Sequence, residues 1–336
     1  MLQVLNVEEM NVDNRNKYIS YYVKNGIRGK ANSVFNCLYR FTGMRDIFNR
    51  REYLGKRFLK SDETNEKITN YIISGKPFMV ARYGGTEMNM LGAYFDKLFL
   101  HREEWLQSAT VQMCELSGFF PENQELAMKF SSYLLDVSKY IDLLGIWNLF
   151  IEDYVCEQYA QSAEYTKLRN LEPYYAENVD PWSKALAGKK VVVVHPFAES
   201  IQIQYKKRKE IWKDKCILPE FELQTIKAVQ TLADQGDDRF NNWFEALDYM
   251  IEECRKIDFD IAIIGCGAYG MPLAAEIKHM GRGAIHLGGA LQILFGIKGK
   301  RWDNHPVISQ FYNDAWIRPV EQRPDGYKKV EEGCYW

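Results

Sequence analysis

The chain has 336 residues, of which 46% are apolar and 14% aromatic, enough for a buried core, and this excludes a disordered or fibrous protein. Lys and Arg number 43 against 45 Asp and Glu, so no global positive charge points to nucleic acid. Seven scattered cysteines without a CxxC pair argue against a disulfide framework. With no signal peptide and no apolar stretch of membrane-spanning length in the sequence, we expect a cytoplasmic protein.

The near-neutral total charge conceals a basic segment near the N-terminus. Between Arg15 and Lys60, twelve Lys and Arg stand against two acids, with aromatic and aliphatic residues interleaved. This pattern is typical of basic amphipathic helices on the inner face of a membrane, and equally of helices that pack against the acidic remainder or of an arm that binds RNA or a partner. We treat residues 1–60 as a basic, largely helical extension and leave these alternatives open. A homodimer is also compatible with this segregation of charge.

An α/β domain is predicted over residues 61–320, and residues 321–336 are assigned to a C-terminal tail. Capping and turn residues predict a helix over 61–74 that Gly75 stops, followed by a buried strand that begins at Phe78. Four consecutive valines indicate a second buried strand, which ends at His195. The remaining helices are predicted over 123–135, 151–168, 199–212, 223–234, 243–256 and 271–280, and the remaining strands over 216–218, 260–264 and 284–287.

Strands that alternate with helices predict an α/β fold with a mostly parallel, Rossmann-like sheet flanked by helices. In such a sheet, ligands bind in the crevice outside the carboxyl ends of the strands. The candidate site residues are therefore those that follow the predicted strands.

The stretch from Gly265 to Gly270 has the glycine spacing of a dinucleotide fingerprint between a strand and a helix. Its glycines would let the backbone approach a phosphate group whose charge the helix N-terminus stabilises. A dehydrogenase would need an acidic residue at the end of the next strand to bind the ribose, and none stands there, which disfavours that function. The alternative to a phosphate-binding turn is a purely structural turn. Cys266 is either a nucleophile near a helix N-terminus or a small residue that fills the turn. Tyr269 lies in the same stretch, together with Gly267.

The stretch from Arg82 to Glu87 places a guanidinium, a flexible backbone and a carboxylate within six residues. Arginine binds phosphate oxygens with two parallel hydrogen bonds, and a carboxylate after a strand can act as a general base, ligate a metal ion or hold a sugar hydroxyl. The alternative is an Arg–Glu pair across a turn. The residues between them are Tyr83, Gly84, Gly85 and Thr86.

Further candidates lie at the ends of the other predicted strands. His195 and His286 are either ligand-binding groups or structural hydrogen-bonding residues, and Glu220 is a carboxylate after the strand predicted over 216–218. Ser200 follows His195 at a helix start, and Gly288 and Gly289 follow His286. Trp302 with Arg301 is predicted either to close over a base or sugar or to pack in the core.

Two of these stretches together resemble the GT-D-type glycosyltransferases of bacterial capsule, O-antigen and glycoprotein synthesis. The first is Ala81-Arg82-Tyr83-Gly84-Gly85-Thr86-Glu87, where the family has Ala-Arg-Phe-Gly-Asp-Gly-Glu, and the second runs from Ile261 to Gly288. The resemblance implies a nucleotide-diphosphate sugar as donor and a surface-polysaccharide or lipid-linked acceptor. It also implies a divalent metal ion, Mn or Mg, bound by an acidic pair, but Gly85 stands where the first acid is expected.

We therefore predict a glycosyltransferase in which Glu87, His195 and Arg82 are catalytic and Glu87 is also a metal ligand. Three alternatives follow for the metal ion. Glu87 binds it alone, or His195, Glu220 or His286 takes the place of the missing acid, or the reaction uses no metal ion. The alternatives are another nucleotide- or cofactor-dependent transferase and a non-catalytic protein that binds a nucleotide sugar. The predicted binding residues are Gly84, Gly85, Thr86, Ser200, Glu220, Gly265, Cys266, Gly267, Tyr269, Gly270, His286, Gly288 and Gly289.

Overall fold

The structure, a computed structural model, describes residues 13–27, 52–176, 178–231, 237–323 and 333–336. A short hairpin, β1 (Glu52–Tyr53) and β2 (Lys56–Arg57), precedes the sheet. The sheet strands are β3 (Phe78–Ala81), β4 (Leu143–Ile146), β5 (Glu164–Lys167), β6 (Lys190–His195), β7 (Glu222–Lys227), β8 (Ile261–Ile264) and β9 (Gly283–His286). Within these described ranges they form one sheet in the order β5-β4-β3-β9-β8-β6-β7, and every neighbouring pair is parallel.

Helices cover both faces of this sheet, as a parallel sheet requires. They are α1 (13–27), α2 (Ser61–Ser74), α3 (Gly85–Phe95), α4 (Leu106–Ser117), α5 (Gln124–Ser138), α6 (Glu152–Tyr159), α7 (Ala198–Lys206), α8 (Arg208–Ile211), α9 (Trp243–Arg255), α10 (Gly270–His279), α11 (Leu291–Leu294) and α12 (Lys300–Asp303). A π-helical turn (Asp96–Leu100) extends α3.

Alternate residues of the central strands β3, β6, β8 and β9 enter two separate hydrophobic clusters. In β6, Val192 and Val194 pack with α3, α5, α9 and α10, whereas Val191 and Val193 pack on the other face with α2, α7 and α11. Because both faces of the sheet are buried at its centre, strands β3, β4 and β8 and the valine run of β6 are apolar, whereas the edge strands β5 and β7 are largely polar and partly exposed. The predicted parallel α/β fold with flanking helices is confirmed.

Four predicted elements differ from the structure, and one strand was not predicted. Residues 216–218 form turns and bends instead of a strand. Of the helix predicted over 223–234, residues 223–227 belong instead to the edge strand β7, which pairs with β6 over six residues, and residues 232–234 lie outside the described ranges. The helix predicted over 151–168 is the shorter helix α6 followed by the strand β5, while β4 was not predicted. The helix predicted over 199–212 is divided into α7 and α8.

The described part of the N-terminal extension packs on the domain. Tyr18 of α1 is fully buried among aromatic rings, with its centroid 5.4 Å from that of Phe95, and its hydroxyl donates to Asp96 at 2.6 Å. Lys17 pairs with Glu157, as expected if the basic segment packs against acidic residues. Residues 28–51, which contain six of the twelve Lys and Arg residues of the basic segment, lie outside the described residues. In the described ranges, no helix has both the length and the apolar character needed to cross a bilayer.

Candidate functional site

A cleft of about 510 Å³ opens at the carboxyl ends of the sheet strands. The connection after β6 leads to β7 at one edge, and the connection after β8 leads to β9 in the opposite direction. Such a reversal opens a crevice between the two strand ends, which is where open α/β sheets bind ligands. The cleft therefore lies where the fold itself leaves space.

Arg82 follows β3 and projects into this cleft. Its Nε donates to the carbonyl of Tyr83 at 3.1 Å, and its guanidinium carbon lies 4.5 Å from the ring centroid of Trp147. Neither terminal NH₂ group hydrogen-bonds to another residue in the ranges that the structure describes. Burial lowers the pKa of Arg82 from its usual value, while the carboxylate of Glu87 opposes that shift.

Glu87 lies in the first turn of α3, whose N-cap is Gly84. One oxygen of Glu87 accepts a hydrogen bond from the Thr86 hydroxyl at 2.9 Å, and the carboxylate folds over Gly84 so closely that a side chain there would collide with it. Thr86 in turn hydrogen-bonds to Ser117 of α4. Within the described residues, Glu87 is the only carboxylate that lines the cleft.

The glycine-rich turn after β8 brings three strand ends together. A Cβ on Gly265 would lie 2.6 Å from the carbonyl oxygen of Gly288 and 2.8 Å from Cδ2 of His195. Gly267 has a φ of +58°, and a Cβ there would lie 2.6 Å from the carbonyl oxygen of Ser117. Only glycine fits such approaches. The turn is therefore required by packing, whether or not it also binds a ligand.

Both predicted histidines line the cleft, but neither is in the charged form. Burial lowers the pKa of His195 to about 3, and burial together with Arg82 lowers that of His286 to about 3. Nδ1 of His195 accepts from the amide of Phe197 at 2.9 Å, so its remaining proton is on Nε2. The imidazole of His286 packs directly against the backbone of Gly270. At neutral pH neither ring can donate a proton as an imidazolium.

The loop between β4 and α6 forms one wall of the cleft with Trp147, Leu149 and Phe150. The Glu152 side chain has no exposed surface, and it accepts from the amides of Trp147 at 3.2 Å and Leu149 at 3.0 Å. Burial raises the pKa of Glu152 to about 7, although these amides favour the carboxylate. This loop was not predicted as part of the site, and its only signal in the sequence was an acid within an apolar run.

Most predicted site residues meet in this cleft. Those lining it are Arg82, Gly84, Gly85, Thr86, Glu87, His195, Gly265, Cys266, Gly267, Tyr269, His286, Gly288 and Gly289. Burial raises the pKa of the Cys266 thiol, which disfavours a thiolate nucleophile. Residues that line the cleft but were not proposed as site residues include Asn89, Gln112, Ser117, Trp147, Gln230, Gln292 and Tyr335.

Three predicted site residues lie outside the cleft lining. Glu220 precedes β7, at the amino end of the strand, and pairs with Arg208, because the strand begins after Pro219 and not before it. Ser200 is buried and binds the carboxylate of Glu321 and the amide of Val320. Gly270 begins α10 and is covered by the His286 ring.

Arg301 and Trp302, the pair that was predicted either to close over a base or sugar or to pack in the core, lie in different environments. Arg301 lines the cleft, whereas Trp302 is 6% exposed and belongs to the core. Tyr335 also lines the cleft, because the amides of Lys300 and Arg301 donate to the carbonyls of Trp336 and Cys334. The described end of the predicted C-terminal tail therefore forms part of the wall.

The residues of the cleft do not match the needs of a divalent metal ion. Among the described residues, no group of three or more His, Cys, Asp or Glu side chains could hold a metal ion. Glu87 brings one carboxylate, and its Oε2 already accepts from Thr86.

Neither protein-family models nor curated proteins match this chain. Two solved structures of domain of unknown function 1792, one described as having a distinct glycosyltransferase fold, are similar to it. They are 13% and 12% identical, with a TM-score of 0.44 each, over 83% of this chain and 90% of theirs. Similarity at this level carries no argument about activity.

Proposed function

We propose that this protein is a glycosyltransferase that transfers a sugar from a nucleotide-diphosphate donor to a hydroxyl group of an acceptor. The observation that carries the proposal is that Arg82 and Glu87 share one cleft. Arg82 offers two terminal NH₂ groups that bond to no other described residue, and Glu87 is the only carboxylate of the described lining. A guanidinium matches phosphate oxygens, and a lone carboxylate suits a general base.

In the proposed reaction, the bond between the anomeric carbon and the diphosphate breaks while the acceptor oxygen bonds to that carbon. The acceptor proton passes to Glu87, and the electron pair of the broken bond leaves with the diphosphate. Arg82 stabilises the charge that develops on this leaving group, together with the first-turn amides of α3 at Gly85 and Thr86. The neutral His195 and His286 would contact donor groups by hydrogen bonding or packing, without proton donation.

The acceptor is proposed from the resemblance of the Arg82–Glu87 and Ile261–Gly288 stretches alone. It is a surface polysaccharide or a lipid-linked intermediate, and the basic segment would bring the enzyme to the inner face of the membrane. A non-catalytic protein that binds a nucleotide sugar is the second candidate. The observation that favours it is that a single carboxylate and two neutral histidines leave few groups for proton transfer.

Thermal unfolding against UDP, GDP, CDP, CMP, NAD and S-adenosylmethionine tests the proposal. A ligand at about 100 times its dissociation constant adds about 2.7 kcal/mol of stability. We expect stabilisation by one nucleoside diphosphate, and release of that diphosphate from its sugar nucleotide when acceptor is present. Stabilisation only by NAD or S-adenosylmethionine, or by nothing, would contradict nucleotide-sugar binding. Diphosphate binding without turnover on a panel of acceptors would favour the non-catalytic candidate.

A further inference from the structure

Trp147 is unusual among the large apolar side chains of the cleft, because it is 47% exposed. Its ring covers the guanidinium of Arg82, with 4.5 Å between the guanidinium carbon and the ring centroid. An arginine that stacks on an aromatic ring keeps its N–H groups in the plane of the guanidinium, so they remain available to an anion.

Two further contacts constrain the same guanidinium. Its Nε–H is bonded to the carbonyl of Tyr83, which fixes one edge of the plane. Gly288 lies beneath it with a φ of +63°, and a Cβ there would be 3.0 Å from Nη1. Together with the indole, these contacts leave the two terminal NH₂ groups of Arg82 available to hydrogen-bond to a ligand.

The position of Trp147 depends on a strained loop. Asn148 and Ile151 have φ values of +59° and +52°, and this conformation is unfavourable for a β-branched residue such as Ile151. Such a conformation persists only where surrounding contacts impose it. Here those contacts are hydrogen bonds from the loop amides to the buried Glu152 carboxylate, one of them from the amide of Trp147 itself.

We propose that Trp147 and Glu152 are positioning residues for the diphosphate group of the donor. Glu152 holds the loop, the loop places the indole of Trp147, and the indole fixes the plane in which Arg82 presents its NH₂ groups. Neither residue takes part in the bond changes of the reaction. The role rests on the proposed function, since it assigns a diphosphate to Arg82.

The first test measures binding of pyrophosphate, and of the best-stabilising nucleoside diphosphate, by calorimetry. The variants are Trp147→Leu and Trp147→Phe, with Ile73→Ala as the matched control at another exposed apolar position. Loss of a cation–π contact predicts about three- to thirtyfold weaker pyrophosphate binding by Trp147→Leu. Trp147→Phe, which keeps a ring, should recover most of the affinity, and Ile73→Ala should match the wild type.

The second test needs no ligand. Hydrogen exchange at the amides of residues 147–150 is compared between the wild type and Glu152→Gln, with Glu157→Gln as the control on the same helix. We expect faster exchange of at least one of the Trp147 and Leu149 amides in Glu152→Gln alone, because the glutamine side chain keeps one acceptor oxygen where the two amides of the wild type use two.

The outcomes separate this role from the proposed function. If the wild type binds diphosphates and Trp147→Leu binds them equally well, the positioning role of Trp147 is wrong while the proposed function stands. Unchanged exchange in a folded Glu152→Gln would overturn the role of Glu152. If the wild type binds neither pyrophosphate nor any nucleoside diphosphate, the proposed function is wrong, and the role of Trp147 is overturned with it.

Discussion

At the scale of single residues, burial decides which chemistry the cleft can perform. His195 and His286 are 3% and 5% exposed, and their pKa values fall to about 3, so proton transfer is left to Glu87. The sequence placed both histidines correctly at the carboxyl ends of strands, but their protonation depends on side chains that come from other strands and helices. The functional assignment of Glu87 is therefore the residue-level hypothesis to test first.

Glu87→Gln should lower the transfer rate about 10²- to 10⁴-fold, the usual contribution of a general base. Nucleoside diphosphate binding and the unfolding temperature should change little, because the amide keeps the size of the side chain. The measurement is product formation from the sugar nucleotide that stabilises the protein best, with Glu125→Gln, exposed at the start of α5, as control. Full activity of Glu87→Gln would remove this residue from the mechanism.

Gly270→Ala tests the packing of His286. The new methyl group would occupy the space of the imidazole ring, which must move within a dense core. We expect a loss of about 1–3 kcal/mol in the free energy of unfolding, measured by denaturant titration. Gly85→Ala is the matched control, since nothing lies within 4 Å of its Cβ position. Equal stability of the two variants would show that His286 does not pack against Gly270.

At the scale of elements, non-local pairing overrides local preference. The sequence 223–234 has good helix formers, yet its first part is β7, because pairing with β6 satisfies the backbone over six residues. Strand β4 was also not predicted, because a strand of four residues is too short to give a periodic hydrophobic signal. By contrast, α9 was predicted within one residue because it has strong amphipathic periodicity and a capping residue at its start.

Asn242→Ala tests that cap. The Asn242 side chain accepts from the amides of Phe244 and Glu245, at 3.0 and 3.3 Å. Its removal should cost about 1 kcal/mol of stability. Denaturant unfolding of Asn242→Ala and of Asn242→Asp, which keeps an acceptor, measures the effect. A loss of the same size in Asn242→Asp would mean that the cap is not its cause.

At the scale of the whole molecule, chain segments distant in sequence complete the domain. Helix α1 inserts Tyr18 into the aromatic cluster around Phe95. Near the other end of the chain, Trp336 packs edge-on against Phe197, with 5.0 Å between ring centroids. Buried titratable groups of the assembled core then determine how stability depends on pH.

His195 and His286 should make the protein less stable in acid. Their pKa is about 3 in the folded state and 6.5 when unfolded, so the unfolded chain binds more protons between these values. Each histidine therefore contributes stability that is complete above pH 6.5 and is lost as the pH falls towards 3, by up to about 1.4 kcal/mol per pH unit. Glu152 acts oppositely: its pKa is raised to about 7, so its contribution falls as the pH rises from 4.5 to 7.

The measurement is the free energy of unfolding from pH 7 to pH 4 for the wild type, His195→Asn and His286→Asn. Each variant should show a shallower decline in acid than the wild type. His101→Asn, at an exposed position where asparagine tolerates the positive φ, is the control. A wild-type slope in either buried-site variant would mean that the replaced histidine is already protonated in the folded protein.

The sequence by itself determined the parallel α/β architecture, because apolar runs such as Val191–Val194 alternate with helical stretches, and this alternation is typical of a parallel sheet covered by helices on both faces. It also located most of the cleft, since residues that follow parallel strands meet at one edge. Only the tertiary structure decided that Glu220 lies away from the cleft, that both histidines are neutral, and that Glu152 holds the loop of Trp147. The first two properties arise from contacts between residues far apart in the chain, of which the local pattern carries no record. Glu152 is only five residues from Trp147, but its complete burial depends on the packing of the whole domain.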